Sequence, residues 1–128
     1  MSTTQSLQPM GKPCEAFSYQ DAVEAYRHMK LVPVQEYGSS LYGHSLHTWD
    51  AGSRFLARCA VCGGYILVQE SEFHSFSDAP DDDYTDFFPV SSPEEADELN
   101  RKYSGSEIET AFQPRYLMRT NDCLHWSK

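Results

Sequence analysis

The sequence predicts an α+β fold in which a mostly antiparallel sheet packs against two helices. Short β-type runs separated by turn residues occupy both halves of the chain, and two segments, about 18–30 and 93–103, place apolar residues at helical spacing. The 128 residues, 40% of them hydrophobic, suffice for one domain with a buried core. We expect the polar residues 1–13 to form a flexible leader and residues 14–128 to form a single domain.

Both predicted helices begin with a capping pattern. In the first, Ser18 is the expected cap and Asp21 stands in the capping-box position three residues later. In the second, Ser92 is the expected cap, Pro93 suits the first helical position and Glu95 completes the capping box. The second pattern is the more complete of the two.

The remaining segments read as β structure on both sides of the second helix. Proline at position 33 cannot donate to a ladder, so the first run is predicted to be an edge strand. Asn121 and Asp122 tolerate the positive φ angle of a tight turn and are predicted to join the last two strands. The predicted strands cover residues 31–37, 41–49, 54–58, 65–68, 107–112, 115–120 and 123–126.

The cysteines carry the clearest chemical signal. Cys59 and Cys62 are separated by two residues at the tip of a predicted hairpin, where both thiolates can bind one tetrahedral ion. The two glycines that follow permit a tight turn. The N-terminus has neither a basic region nor an apolar run typical of secretion, so metal binding is favoured over disulfides. The same features, and the lack of an apolar run long enough to span a bilayer, predict a soluble cytoplasmic protein.

Residues 58–65 resemble the knuckle of zinc ribbons. The resemblance implies structural zinc and a second hairpin that supplies two further ligands. Cys123 and His125 are the natural candidates, because residues two apart on a strand project to the same face. Cys14 and His74 are alternative ligands. The predicted zinc site therefore consists of Cys59, Cys62, Cys123 and His125.

Two other interpretations of the cysteine pair are open. Free cysteines often pack as small buried hydrophobes, and Cys59 and Cys62 both border apolar strands. A thioredoxin-like redox pair is disfavoured, since that motif is followed by a helix and here a strand is predicted.

Acidic residues concentrate in one part of the chain. Residues 69–109 hold 13 acidic and 2 basic side chains, whereas the whole chain has a net charge of −9. The excess of acidic over basic side chains disfavours a general phosphate-binding surface. Aromatic residues interleave with the carboxylates, and residues 78–86 are predicted to be an acidic loop. Carboxylates around aromatic anchors suit a basic protein partner. The predicted contact residues are Glu70, Glu72, Asp81, Asp82, Asp83, Asp86, Phe87 and Phe88.

These observations favour a small acidic, non-catalytic interaction module, stabilised by zinc, that could inhibit a basic nucleic-acid-binding protein. An alternative is a zinc-ribbon-like nucleic-acid-binding protein with a local basic patch formed by Arg54, Arg58, Arg115 and Arg119. A less favoured alternative is a zinc hydrolase with Glu72 as general base. The sequence contains no phosphate-binding loop, nucleophile elbow or dinucleotide-binding motif.

Overall fold

The computed structural model describes residues 11–38, 51–73, 82–103 and 107–128. Within them, six strands form one antiparallel sheet whose spatial order follows the chain. The predicted α+β class with an antiparallel sheet is confirmed. The strands are β1 (Leu31–Gly38), β2 (Ala51–Cys59), β3 (Tyr65–Phe73), β4 (Asp82–Val90), β5 (Leu117–Thr120) and β6 (Cys123–Trp126).

In the described part of the chain, three α-helices and a 3-10 turn pack around the sheet. The 3-10 turn (Glu15–Ser18) and α1 (Ala22–His28) precede β1, whereas α2 (Pro93–Lys102) and α3 (Glu107–Ala111) connect β4 to β5. No helix in the described ranges is long and apolar enough to cross a membrane.

The sheet is covered by helices on both faces, because its central strands direct apolar side chains alternately to each side. On β3, Val68 faces a core formed with the 3-10 turn and α1, which we call the first face. Its neighbour Leu67 faces a core formed with α2 and α3, which we call the second face. Both side chains are almost fully buried.

The first predicted helix is confirmed but begins later than expected. Asp21 itself is the cap: its Oδ2 accepts a hydrogen bond of 2.9 Å from the backbone N–H of Glu24. Ser18 belongs to the 3-10 turn, where its hydroxyl donates to the carbonyl of Glu15. Ser18, the predicted cap, therefore stabilises the 3-10 turn, and helix α1 starts at Ala22.

The second predicted helix is confirmed as α2. The Ser92 hydroxyl accepts a hydrogen bond of 3.1 Å from Glu95 N–H, and Pro93 occupies the first helical position. The Glu95 carboxylate in turn accepts from Ser91 N–H at 2.6 Å. Side chains thus satisfy two backbone donors at the start of α2.

The segment predicted as a strand over 107–112 is instead helix α3 together with the residue that follows it. Ile108, Ala111 and Phe112 are spaced three and four residues apart, so they fit one helix face as well as a loose alternation. Burial decides between the two, because Ile108 is fully buried in the core of the second face.

Strand β4 includes residues 82–86 of the segment predicted to be an acidic loop, whereas residues 78–81 lie outside the described part of the chain. It pairs with β3 on one side and β5 on the other, so its side chains alternate into the two cores. Phe87 enters the first core and Phe88 the second, and Asp86 is only 2% exposed. These three residues are therefore interior, not part of a partner-binding surface as predicted.

Two predicted turns are confirmed by their backbone angles. Gly63, in the turn between β2 and β3, has φ +76°, and Asn121, between β5 and β6, has φ 55°. Strand β1 lies at the edge of the sheet, as its proline predicted. The predicted strand over 41–49 lies outside the described residues.

Buried polar side chains cross the second face of the sheet. Arg54, Gln69 and Asp86 occupy neighbouring register positions on β2, β3 and β4. The Arg54 guanidinium is 1% exposed and donates to Gln69 Oε1 at 3.0 Å. It also donates to Asn100 Oδ1 and to the Tyr103 carbonyl, which fastens β2 to the end of α2.

Asp86 forms a buried carboxyl pair with Glu109 of α3. Burial, reinforced by the charge of Glu109 and the hydrogen bond between the side chains, raises the pKa of Asp86 to about 8. Burial also raises the pKa of Glu109. At neutral pH the pair therefore holds a proton.

We expect Asp86→Asn to remove a pH dependence of folding stability. Asp86 ionises near 3.8 in the unfolded chain and near 8 in the folded one. Its contribution is complete below 3.8 and is lost as pH rises toward 8. Relative to the parent, the variant should therefore gain about 1.4 kcal/mol of unfolding free energy per pH unit inside this window. Denaturant unfolding between pH 5 and pH 8 measures the difference.

Asp83→Asn is the matched control, because Asp83 lies on the same strand and is exposed. Its stability relative to the parent should stay nearly constant across this range. A constant difference for Asp86→Asn as well would contradict the shared proton.

Candidate metal centre

Four side chains from three separate segments meet on the first face of the sheet. Their potential ligand atoms all lie within 4.8 Å of one another. Cys14 precedes the 3-10 turn and His28 ends α1. Cys59 is the last residue of β2, and Cys62 lies in the turn that joins β2 to β3; we call residues 59–64 the knuckle. We call these four residues the Cys/His cluster. Cys14 and Cys59 are buried, whereas His28 and Cys62 are partly exposed.

The knuckle is held by its own backbone. The Cys59 carbonyl accepts from Gly63 N–H at 2.7 Å, and the Cys59 N–H donates to the Gly64 carbonyl at 2.8 Å. The positive φ of Gly63 closes the turn without strain. This geometry directs the thiols of Cys59 and Cys62 toward the same point, as the sequence motif predicts.

Cys14 reaches the knuckle because the segment before the 3-10 turn runs along the start of β3. Pro13 forms a bridge with Tyr65, whose N–H donates to the Lys12 carbonyl at 2.9 Å. Gly64 makes this approach possible: a Cβ added there would lie 2.4 Å from the Cys14 Cα. Residues 11–13, predicted as part of the leader, thus lie against the sheet. Residues 1–10 lie outside the described residues.

His28 presents one ring nitrogen that is free to bind a metal. Its Nδ1 lies 3.1 Å from the Tyr19 hydroxyl, whereas its Nε2 is buried and has no hydrogen-bond partner among the described residues. A metal-bound imidazole usually donates its other N–H to a neighbouring oxygen, which fixes the ring. Tyr19 is placed to accept that hydrogen bond.

The sulfur atoms are surrounded by backbone donors. Glu15 N–H donates to Cys62 Sγ at 3.4 Å, and Cys62 Sγ lies 3.6 Å from Cys14 Sγ. For Cys59, burial alone would raise the thiol pKa, but nearby backbone N–H groups and the Cys14 thiol outweigh it and lower the pKa to about 7.

Cys14 has the opposite electrostatic environment. Burial and the neighbouring thiols raise its pKa well above the usual range. Without a metal this thiol therefore keeps its proton. A divalent cation would replace that proton, because thiolates are the form of cysteine that binds metals.

The structure brings together only part of the predicted site. Cys59 and Cys62 lie side by side, but Cys123 and His125 are exposed on β6. Because β4 and β5 separate β3 from β6, roughly 14 Å lies between those strands. In addition, the alternate residues of β6, Leu124 and Trp126, contact the first core, so Cys123 and His125 point to the other face.

The other two potential ligands are Cys14, which the sequence predicts as an alternative, and His28, which no sequence pattern indicates. No spacing in the sequence links His28 to the knuckle, because the contact depends on where α1 ends. His74, the other alternative, lies outside the described residues.

The structure describes the side chains of only some of the acidic residues predicted to contact a partner. Glu70 and Asp83 are exposed, and strand alternation places both on the first face with Val68 and Phe87. Asp81 and the side chains of Glu72 and Asp82 lie outside the described part of the chain.

Comparison of the chain with protein-family models, curated proteins and solved structures gave no significant match. The chemistry of the Cys/His cluster therefore carries the functional argument alone.

We expect Gly64→Ala to destabilise the fold more than Gly63→Ala. The added methyl group at position 64 would overlap the backbone of Cys14 and Pro13, which cannot move without breaking the pairing with β3. At position 63 the methyl group has space, and only the positive φ is unfavourable, by about 1–2 kcal/mol. Thermal unfolding of both variants without metal tests which of them has the lower melting temperature. Equal melting temperatures would show that the close approach does not contribute to stability.

Proposed function

We propose that the Cys/His cluster binds one Zn²⁺ ion that stabilises the fold. Three thiols and an imidazole form a ligand set that binds zinc in preference to calcium or magnesium. In a tetrahedral site with Zn–S bonds of about 2.3 Å, neighbouring sulfurs lie roughly 3.8 Å apart. The 3.6 Å between Cys14 and Cys62 is close to this value. The observation that carries the proposal is the convergence of four donors, including the unpartnered Nε2 of His28.

The ligand count supports a structural ion over a catalytic one. Catalytic zinc sites keep one position for water or substrate, whereas four protein ligands close the coordination sphere. When bound, the ion supplies a crosslink between three segments that are far apart in sequence. Cys14 and Cys62, for example, are separated by 48 positions. Because such a site does not exist in the unfolded chain, the binding free energy adds to the stability of the fold.

We expect purified protein to contain one zinc per chain and to lose it when a ligand is replaced. Cys14→Ser, His28→Asn, Cys59→Ser and Cys62→Ser should each abolish stoichiometric zinc and lower the melting temperature, since each removes one of four bonds to the ion. Elemental analysis and calorimetry measure the two effects. Cobalt substitution should give the visible absorption of a tetrahedral thiolate site in the parent protein.

Cys123→Ser and His125→Asn are the matched controls, because they change the same residue types on exposed positions of β6. Both should retain zinc and the melting temperature of the parent. Unchanged melting in all four ligand variants would reduce the cluster to buried thiols and an imidazole.

We also propose that the zinc-stabilised domain is a non-catalytic module that binds a basic protein, in the manner of a small acidic inhibitor. Glu70 and Asp83 support a contact on the first face, beside the region covered by α1. The nearest cationic side chain on β5, Arg119, forms an ion pair of 3.7 Å with Asp122 and lies over the Tyr26 ring. Because Arg119 is already paired, the exposed carboxylates on the described part of this face favour a positively charged partner.

The nucleic-acid-binding alternative has weaker support. Arg54 is buried, and Arg115 stacks 3.7 Å from the centre of the Trp126 ring. Arg115 also donates to the carbonyls of Phe17 and Tyr19. These two arginines hold the fold together and do not extend a basic patch. Arg58 is exposed, but it lies at the end of β2, where its guanidinium donates to the Gly63 carbonyl of the knuckle.

We expect the double change Glu70→Lys and Asp83→Lys to weaken binding of a lysine-rich synthetic peptide by about tenfold, because two attractive contacts become repulsive. Calorimetric titration at low and moderate salt measures the affinity. The control is Glu94→Lys with Glu98→Lys, which changes net charge equally but on exposed positions of α2. Equal weakening by both pairs would contradict a defined acidic site and leave only the effect of net charge.

A further inference from the structure

Cys14 and Cys62 are close enough to react with each other. Their sulfurs lie 3.6 Å apart although the residues are 48 positions apart in the chain. Their accessibility differs: Cys62 is partly exposed, whereas Cys14 is 2% exposed. A reagent in solvent can therefore reach the Cys62 thiol, and the buried Cys14 thiol lies next to it.

We propose that the metal centre is a peroxide-sensitive switch in which Cys14 and Cys62 form a disulfide and release the zinc ion. This inference rests on the proposed zinc binding. The disulfide would remove two of the four donors at once and leave Cys59 and His28, which are too few to retain the ion.

The chemistry balances with a hydroperoxide as the oxidant. The Cys62 thiolate attacks one peroxide oxygen, the O–O bond breaks, and Cys62 becomes a sulfenic acid while hydroxide or an alkoxide leaves. The Cys14 thiolate, a ligand of the proposed ion, then attacks the Cys62 sulfur, the S–S bond forms, and the sulfenic oxygen leaves as hydroxide, which takes up a proton from solvent, while zinc is released as Zn²⁺. The two sulfurs together lose two electrons, which the peroxide oxygens gain.

The geometry assigns a separate role to each thiol. Cys62 is the point of attack because it is the most accessible sulfur of the cluster. Cys14 is the resolving thiol because of its distance from Cys62. Cys59 is 1% exposed and its sulfur lies 3.7 Å from the His28 carbonyl, so it is shielded from solvent beneath α1.

Oxidation would have an unequal effect on the three linked segments. The new disulfide keeps the segment that carries Cys14 attached to the knuckle, whereas the link between the knuckle and His28 is lost with the ion. We therefore expect α1 to lose stability while the segment before it stays in place. A thiol reductant together with zinc restores the starting state.

The test uses zinc-loaded full-length chain with Cys123→Ser, which removes the exposed cysteine outside the cluster. Hydrogen peroxide should release one zinc per chain, followed with a chromogenic chelator. Peptide mass mapping should then find a Cys14–Cys62 disulfide and the loss of two hydrogen atoms. Dithiothreitol with added zinc should reverse both changes.

Cys14→His in the same background tests the role of the resolving thiol. The variant keeps four potential ligands but has no thiol at position 14, so peroxide should leave a sulfenic acid on Cys62 that dimedone traps. A parent that binds zinc but forms another disulfide, or none, would overturn this inference and leave the zinc proposal intact. A parent that binds no zinc would overturn both.

Discussion

The geometry of the candidate metal centre depends on a close contact between the backbones of Cys14 and Gly64. No side chain fits between them, since a Cβ on Gly64 would overlap both the Cys14 backbone and the Pro13 carbonyl. This contact places the segment before the 3-10 turn along β3, and from there the chain continues into α1. The position of His28 at the end of α1 follows from the same path. The whole Cys/His cluster therefore depends on a glycine that contributes no ligand.

The two faces of the sheet bury polar groups in different ways. On the first face, three thiols and an imidazole converge, and one ring nitrogen has no hydrogen-bond partner in the described ranges, which is an arrangement suited to a cation. On the second face, the Arg54 guanidinium is satisfied by neutral acceptors, and Asp86 and Glu109 hold a proton between them. The proposed ion would neutralise the thiolates on the first face, and protonation removes the charge of one carboxyl group on the second. Each group of polar side chains links a helix to the sheet. Such links fix the position of the helix more precisely than apolar packing alone.

Net charge proved a poor guide to where the acidic residues lie. Asp86 belongs to the most acidic segment of the chain, yet it is buried in a central strand. Phe87 and Phe88, next to it, fill the two cores in place of a partner's pocket. Of the predicted acidic contacts whose side chains the structure describes, Glu70 and Asp83 are exposed, on the face that also carries the candidate metal centre. If the proposed ion stabilises α1, it also stabilises the border of this acidic area.

The sequence by itself determined the fold class, the α2 cap, the knuckle and the turn at Asn121, because each depends on neighbouring residues and on local hydrogen bonds. It also indicated that the side chains of Cys59 and Cys62 lie close together. Local signals did not distinguish a strand from a helix at Glu107–Ala111, since five residues fit both periods and burial made the choice.

Only the tertiary structure decided the other half of the cluster. Cys123 and His125 have the spacing of a ligand pair, but the strand order carries them to the far edge of the sheet and to its opposite face. Cys14 and His28 have no such spacing, and the contact at Gly64 and the end of α1 bring them to the knuckle. Sequence spacing reports which side chains share a local element, whereas a site built from three segments depends on how those elements pack.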